Sequence, residues 1–105
     1  MLGEDDTLRR LERAAQATAN VEPLDEWVTI TPSAEDHETR TGLIIPSSAD
    51  SAVRSGVILA CGDDVSGVVP GDKVLYARAN ALEVRLSGEP VLLVRRRDVV
   101  ARYSE

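Results

Sequence analysis

In the stretch "DEWVTITP" hydrophobic and polar positions alternate, setting Trp27, Thr29 and Thr31 against Val28 and Ile30. That period of two is the one a half-buried strand imposes. Further aliphatic runs of strand length follow in "GVILACG" (56–62), "DKVLYAR" (72–78), "LEVRL" (82–86), "PVLLV" (90–94) and "DVVARY" (98–103). The connections "VPGD" (69–72) and "SGEP" (87–90) bring glycine and proline into short loops, the chemistry of tight turns. Short strands separated by close turn signals predict an all-β chain folded as a small antiparallel barrel.

Two blocks depart from this pattern. Residues 1–20 form a compositional unit in which Asp5 or Asp6 is placed to cap a helix, and Asp5 with Arg9 and Asp6 with Arg10 fall at i,i+4 spacing. The apolar stripe of Leu8, Leu11 and Ala15 is thin, so a short N-terminal helix there must dock on something or fray, and a loose extension is the alternative. The barrel unit then runs from 21 to 105. Inside it, the segment of about 33–55 is rich in Ser, Thr, Asp, Glu and Ala, and it is far longer than the ~4 to 6 residues that usually join elements. A loop of this kind is functional or disordered. Near its middle stand three large aliphatic residues, Leu43, Ile44 and Ile45, between Gly42 and Pro46. Periodicity alone reads the triplet as one more barrel strand; the polarity around it leaves a surface tip as the other reading.

With 105 residues the chain suffices for one domain. Phenylalanine is absent and Trp27, Tyr76 and Tyr103 are the only aromatic residues, so the core must be built mainly from Val, Ile and Leu, the β-branched members of which favour strands. A net charge of −6 disfavours nucleic acid and anionic membranes as partners, since both bind through clustered positive charge. Arg95, Arg96 and Arg97 make the one basic cluster, and beside Asp98 they read as a solvated or ion-paired strand end. A single-strand nucleic-acid barrel would need aromatic platforms and a basic groove, and neither is present in quantity. No apolar run approaches the ~20 residues of a membrane span, and "MLGEDDTLRR" is not a secretory signal. A cytoplasmic protein is expected, in keeping with the single cysteine.

Catalytic chemistry is missing. His37 is the one histidine and Cys61 the one thiol, which cannot assemble the ligands of a structural zinc site. Cys61 in "GVILACGDD" reads as a small buried residue with no cation to activate it. No nucleophile elbow, phosphate-binding loop or dinucleotide fingerprint occurs, and a turn accounts for Asp63 and Asp64. No catalytic residue, metal site or cofactor is therefore predicted.

The pieces "VEPLDEWVTITP", "TGLIIP", "RSGVILACG", "PGDKVLY" and "DVVARY" stand in an order and at spacings that resemble the ten-kilodalton co-chaperonins, the GroES type, over about residues 21–104. The resemblance implies a small irregular β-barrel, with seven copies forming a dome-shaped ring that closes the chamber of an ATP-driven chaperonin. It implies that the loop is mobile, and that Gly42, Leu43, Ile44 and Ile45 dock on the apical domains of a GroEL-type chaperonin in its nucleotide-bound state. Val21, Pro23 and Leu24 would meet Val100, Ala101 and Tyr103 of a neighbouring copy, closing the ring.

Three departures from the family pattern modify this picture. Residues 1–20 are additional and lie next to the expected ring contact. Only "DDVSGVV" separates Gly62 from Pro70, too short for the long excursion that roofs the dome in many relatives, so an open or thin top is expected. Where relatives commonly have glycine before the "EV" strand this chain has "ANALEV", in which Asn80 could supply a left-handed turn conformation instead. The extension and the short roof also suit a different role, that of a GroES-fold interaction or scaffold module outside any chaperonin cycle.

Overall fold

The computed structural model describes residues 21–33, 37–38, 42, 44–45, 52–86 and 88–104. The predicted helix over 1–20 lies outside them. Eight strands follow in chain order: β1 (Trp27–Pro32), β2 (His37–Glu38), β3 (Ile44–Ile45), β4 (Val53–Cys61), β5 (Lys73–Ala77), β6 (Leu82–Leu86), β7 (Glu89–Arg95) and β8 (Val99–Tyr103). Six of them form one antiparallel sheet in the order β6-β7-β1-β4-β5-β8, while β2 and β3 pair only with each other.

Alternation decides which side chains enter the core. Val28 pairs with Val94 and Ile30 with Leu92, Ile30 also faces Ile58, and Tyr76 faces Val99. These residues, with Val74 and with Val68 from the β4–β5 connection, make one buried hydrophobic cluster, aliphatic but for Tyr76. The ladder ends, β6 and β8, do not pair, but each begins at a single 3-10 turn, Arg78–Asn80 and Arg96–Asp98. Asn80 Nδ2 donates to Asp98 Oδ1 at 3.2 Å, joining these turns, and Ala81 beside them packs on the core. The fold is a small irregular barrel whose end strands are joined near these turns and not by a ladder.

Three local expectations are corrected. The strand predicted from Gly56 begins at Val53, because Val53, Arg54 and Ser55 pair with Ala77, Tyr76 and Leu75; the polar "VRS" does not advertise this. Thr29, assigned to the polar face, is fully buried, since β1 is an interior strand flanked by Ala60 of β4 and Leu93 of β7. Asn80 does not take the left-handed conformation; among described non-glycine residues only Asp25 does, at φ +52°. The 3-10 turn, closed by the Ala81 amide donating to the Arg78 carbonyl at 3.2 Å, reverses the chain without it.

Candidate functional site

The loop leaves and re-enters the barrel through a fixed stem. Pro32 is opposite Gly56 in the β1–β4 ladder, and the Ser33 amide donates to the Ser55 carbonyl at 3.0 Å. On the returning side the Arg78 amide donates to the Ala52 carbonyl at 3.0 Å. Beyond this stem the backbone forms a short antiparallel ribbon in which His37 is opposite Ile45 and Glu38 opposite Ile44. Gly42, exposed and at φ +88°, lies in the connection between the two strands, in a conformation where an L side chain is strained. Leu43 lies outside the described residues. Ile44 and Ile45 thus belong to a ribbon separate from the six-stranded sheet.

The segment expected to meet a neighbour is built onto the barrel end. The Trp27 amide donates to the Leu24 carbonyl at 3.0 Å and the Asp64 amide to the Asp25 carbonyl at 2.9 Å. Gly62 makes this seating possible, because a Cβ there would run into the carbonyl groups of Leu24 and Asp25. Along the segment exposure alternates: Val21 is half-buried, Glu22 exposed, Pro23 buried and Leu24 68% exposed. Pro23 therefore faces its own barrel, while Glu22 and Leu24 face outward. At the other end of the chain β8 pairs with β5 along one edge, and no described strand covers the other. There Val100 is 57% exposed, Ala101 is exposed and Tyr103 is half-buried.

Between Gly62 and Lys73 the chain forms no strand and lies back on the barrel. Val68 enters the core, and Val69 and Asp72 close a turn in which the Val69 amide donates to Asp72 Oδ2 at 2.9 Å. Arginines fasten the rest: Arg96 Nε donates to the Ser66 carbonyl at 2.6 Å and Arg102 Nη1 to the Gly67 carbonyl at 3.1 Å. Arg96 and Arg102 stand in a cleft of about 280 Å³ that runs beside the open edge of β8, with Val68, Val99 and Val100 in its lining. Reading the sequence missed this cleft. Its signal was faint, an isolated Arg102 in "DVVARY", since a position on a sheet edge is fixed only by topology.

Of the arginine run, Arg95 lies over the Trp27 ring at 5.0 Å and reaches Glu26 at 3.4 Å, the ion-paired strand end that was expected. Burial pushes the Cys61 thiol above its ordinary value, and the nearby Asp72 carboxylate adds to the effect; both oppose the thiolate a nucleophile needs. Asp63 and Asp64 lie exposed in a turn. Among the described residues no three His, Cys, Asp or Glu side chains gather where a metal could sit, and no helix is long and apolar enough to cross a membrane.

What fold and site define together is an all-β barrel module that carries a separate looped ribbon and has an uncovered sheet edge. The family described as Chaperonin 10 Kd subunit matches residues 20–103, and the chain belongs to it. A co-chaperonin GroES of Nocardioides sp. is 34% identical over 96 residues, covering 83% of this chain and 99% of that protein. A co-chaperonin GroES of Parabacteroides distasonis is 40% identical over 86 residues, covering 78% and 97%. One from Kineococcus radiotolerans is 31% identical over 97 residues, covering 84% and 99%.

Proposed function

We propose that this chain is a cytoplasmic co-chaperonin without catalysis of its own. Seven copies join into a ring, and their loops dock Leu43, Ile44 and Ile45 on the apical domains of a GroEL-type chaperonin in its nucleotide-bound state, closing the folding chamber. The observation that carries this reading is the pairing of Ile44 and Ile45 with Glu38 and His37 instead of with any strand of the barrel sheet. A second observation supports the ring: of the four large hydrophobic residues exposed among the described residues, Leu24, Val69, Leu82 and Val100, two stand on the segments expected to join neighbours.

Magnitudes suit a reversible lid. Fully burying three aliphatic side chains contributes ~1.5 to 3 kcal/mol each, roughly 5 to 9 together. Ordering about ten flanking residues costs ~1 to 2 kcal/mol apiece in backbone freedom, only partly offset by new hydrogen bonds. One loop alone binds weakly. Loops held on one ring bind in concert, because each later contact is effectively intramolecular, and each still releases easily.

The test is capture by a chaperonin plus nucleotide. Ile44→Asp is expected to leave ring assembly intact and to abolish capture; capture equal to that of the unmodified chain would overturn the reading.

A further inference from the structure

The ring reading leaves open what matches one copy to the next, and the described residues carry an answer. Glu22 and Leu24 form an outward stripe on one segment, and Val100 and Arg102 are exposed on the free edge of β8. Laid antiparallel, like every pair in the main sheet, with Leu24 opposite Val100, these segments bring Pro23 to Ala101 and Glu22 to Arg102. The most exposed apolar residue of each segment then meets its counterpart, and opposite charges meet two positions further along. A shift of two residues sets Leu24 against Arg102 or against Asp98 and loses both matches. Parallel pairing with Val21 opposite Val100 sets Glu22 beside Ala101. Proline, which donates no hydrogen bond, is tolerated in such an edge strand.

Among the described residues of one copy, charges on both sides lack full compensation. Glu22 makes no ion pair among the described residues. Among the described residues the Arg96 guanidinium is met only by neutral acceptors, the Ser66 and Val99 carbonyls at 2.6 and 3.1 Å. Arg102, its side chain 59% exposed, reaches Asp72 only at 3.6 Å. Both arginines line the cleft of about 280 Å³ beside the β8 edge, room enough for one carboxylate side chain. Because each copy carries a net charge of −6, joining copies adds repulsion that a local attraction must offset.

We propose that the joint between neighbouring copies is keyed by charge: Glu22 of one copy enters the cleft of the next and pairs with Arg102, with Arg96 behind it. This rests on the ring reading and adds to it the residue pair that sets the register. It makes assembly salt-sensitive, since a pair at a partly exposed joint is screened.

The experiment follows assembly of the full chain by light scattering across a concentration series. Glu22→Arg and Arg102→Glu should each raise the half-assembly concentration by about tenfold or more, and the double variant should return it toward the unmodified value. Moving from about 0.05 to about 0.5 M salt should weaken assembly of the unmodified chain more than that of Glu22→Gln. Single variants that assemble normally, or a double variant no better than either single, would overturn the proposal while the ring reading stands. An unmodified chain that forms no ring removes both. If circular dichroism shows that Arg102→Glu is unfolded, the two Glu22 variants decide alone: unaltered assembly and salt dependence overturn the proposal.

Discussion

Gly56 lies so close to Ile30 that a Cβ on the glycine would overlap the isoleucine Cγ2, and it would stand 2.7 Å from the Thr31 carbonyl oxygen and 3.4 Å from the Tyr76 ring. The glycine closes the loop stem opposite Pro32, and it allows β1 and the Tyr76 ring to approach at the same point. Ile30 and Tyr76 are both fully enclosed, so neither can retreat.

Gly56→Ala is therefore expected to destabilise the barrel by about 1 to 3 kcal/mol, the usual penalty of overpacking. For a domain near 100 residues that lowers the midpoint of thermal unfolding by roughly 4 to 8 °C per kcal/mol. A melting temperature within a degree or two of the unmodified chain would show that the stem yields more readily than its contacts imply.

Thr29 gives a prediction of opposite sign. Its hydroxyl is buried and finds no hydrogen-bond partner among the described residues, although the residue stands in the middle of the sheet between Ala60 and Leu93. Leaving a buried hydroxyl unmatched costs about 1 to 3 kcal/mol, and valine keeps the shape and the strand preference without that group. Thr29→Val should raise the denaturant midpoint with the slope unchanged, in keeping with a gain of about 1 kcal/mol. A lowered midpoint would mean that the hydroxyl is satisfied after all.

These two sites show how far the sequence could be read. The six strands of the main sheet were legible because aliphatic runs and Gly-Pro turns are local signals. The chemistry of the turn at Val69–Asp72 was equally local. The burial of Thr29 was not legible, because it depends on β1 having strands on both sides. Nor was the start of β4 at Val53, which is set by its partner Ala77 and not by any alternation of its own. Asn80 followed the same rule: a left-handed turn was compatible with its side chain, but the 3-10 turn it ends and the bond to Asp98 decided its conformation. At the candidate site, the loop and its aliphatic tip stood out against polar surroundings. The cleft of Arg96 and Arg102 did not, since it depends on these arginines meeting the Ser66 and Gly67 carbonyls 30 and 35 positions away.

Alkaline conditions should weaken the fold in two stages. Burial pushes the Cys61 thiol up, with Asp72 adding to it. Burial also raises the Tyr76 phenol, a shift that Arg54 partly opposes. In both cases the folded value lies above the unfolded one, so the stability contributed is complete below the unfolded value and is lost as pH rises through the folded one. Urea midpoints measured from about pH 7 to about pH 11 should hold level at first, then fall through the thiol range and again through the phenol range. Cys61→Ala should remove the first decline and leave the second. A midpoint that climbs over this interval would contradict both shifts.

Gly42 offers a test of the loop that leaves the aliphatic tip untouched. Its φ of +88° lets the chain reverse between β2 and β3, and that reversal sets Ile44 and Ile45 opposite Glu38 and His37. An alanine there pays roughly 1 to 2 kcal/mol to hold the same conformation, so the ribbon that presents the tip forms less readily. On the proposed docking reading each loop carries the penalty, and even about 1 kcal/mol per loop is several-fold in affinity before loops are combined. Gly42→Ala should thus assemble like the unmodified chain and keep its melting temperature, since the ribbon lies outside the main sheet, yet require a higher concentration to saturate a chaperonin with nucleotide bound. Equal saturation curves would mean that the docked loop does not use this reversal, and that its two isoleucines are presented by some other backbone path.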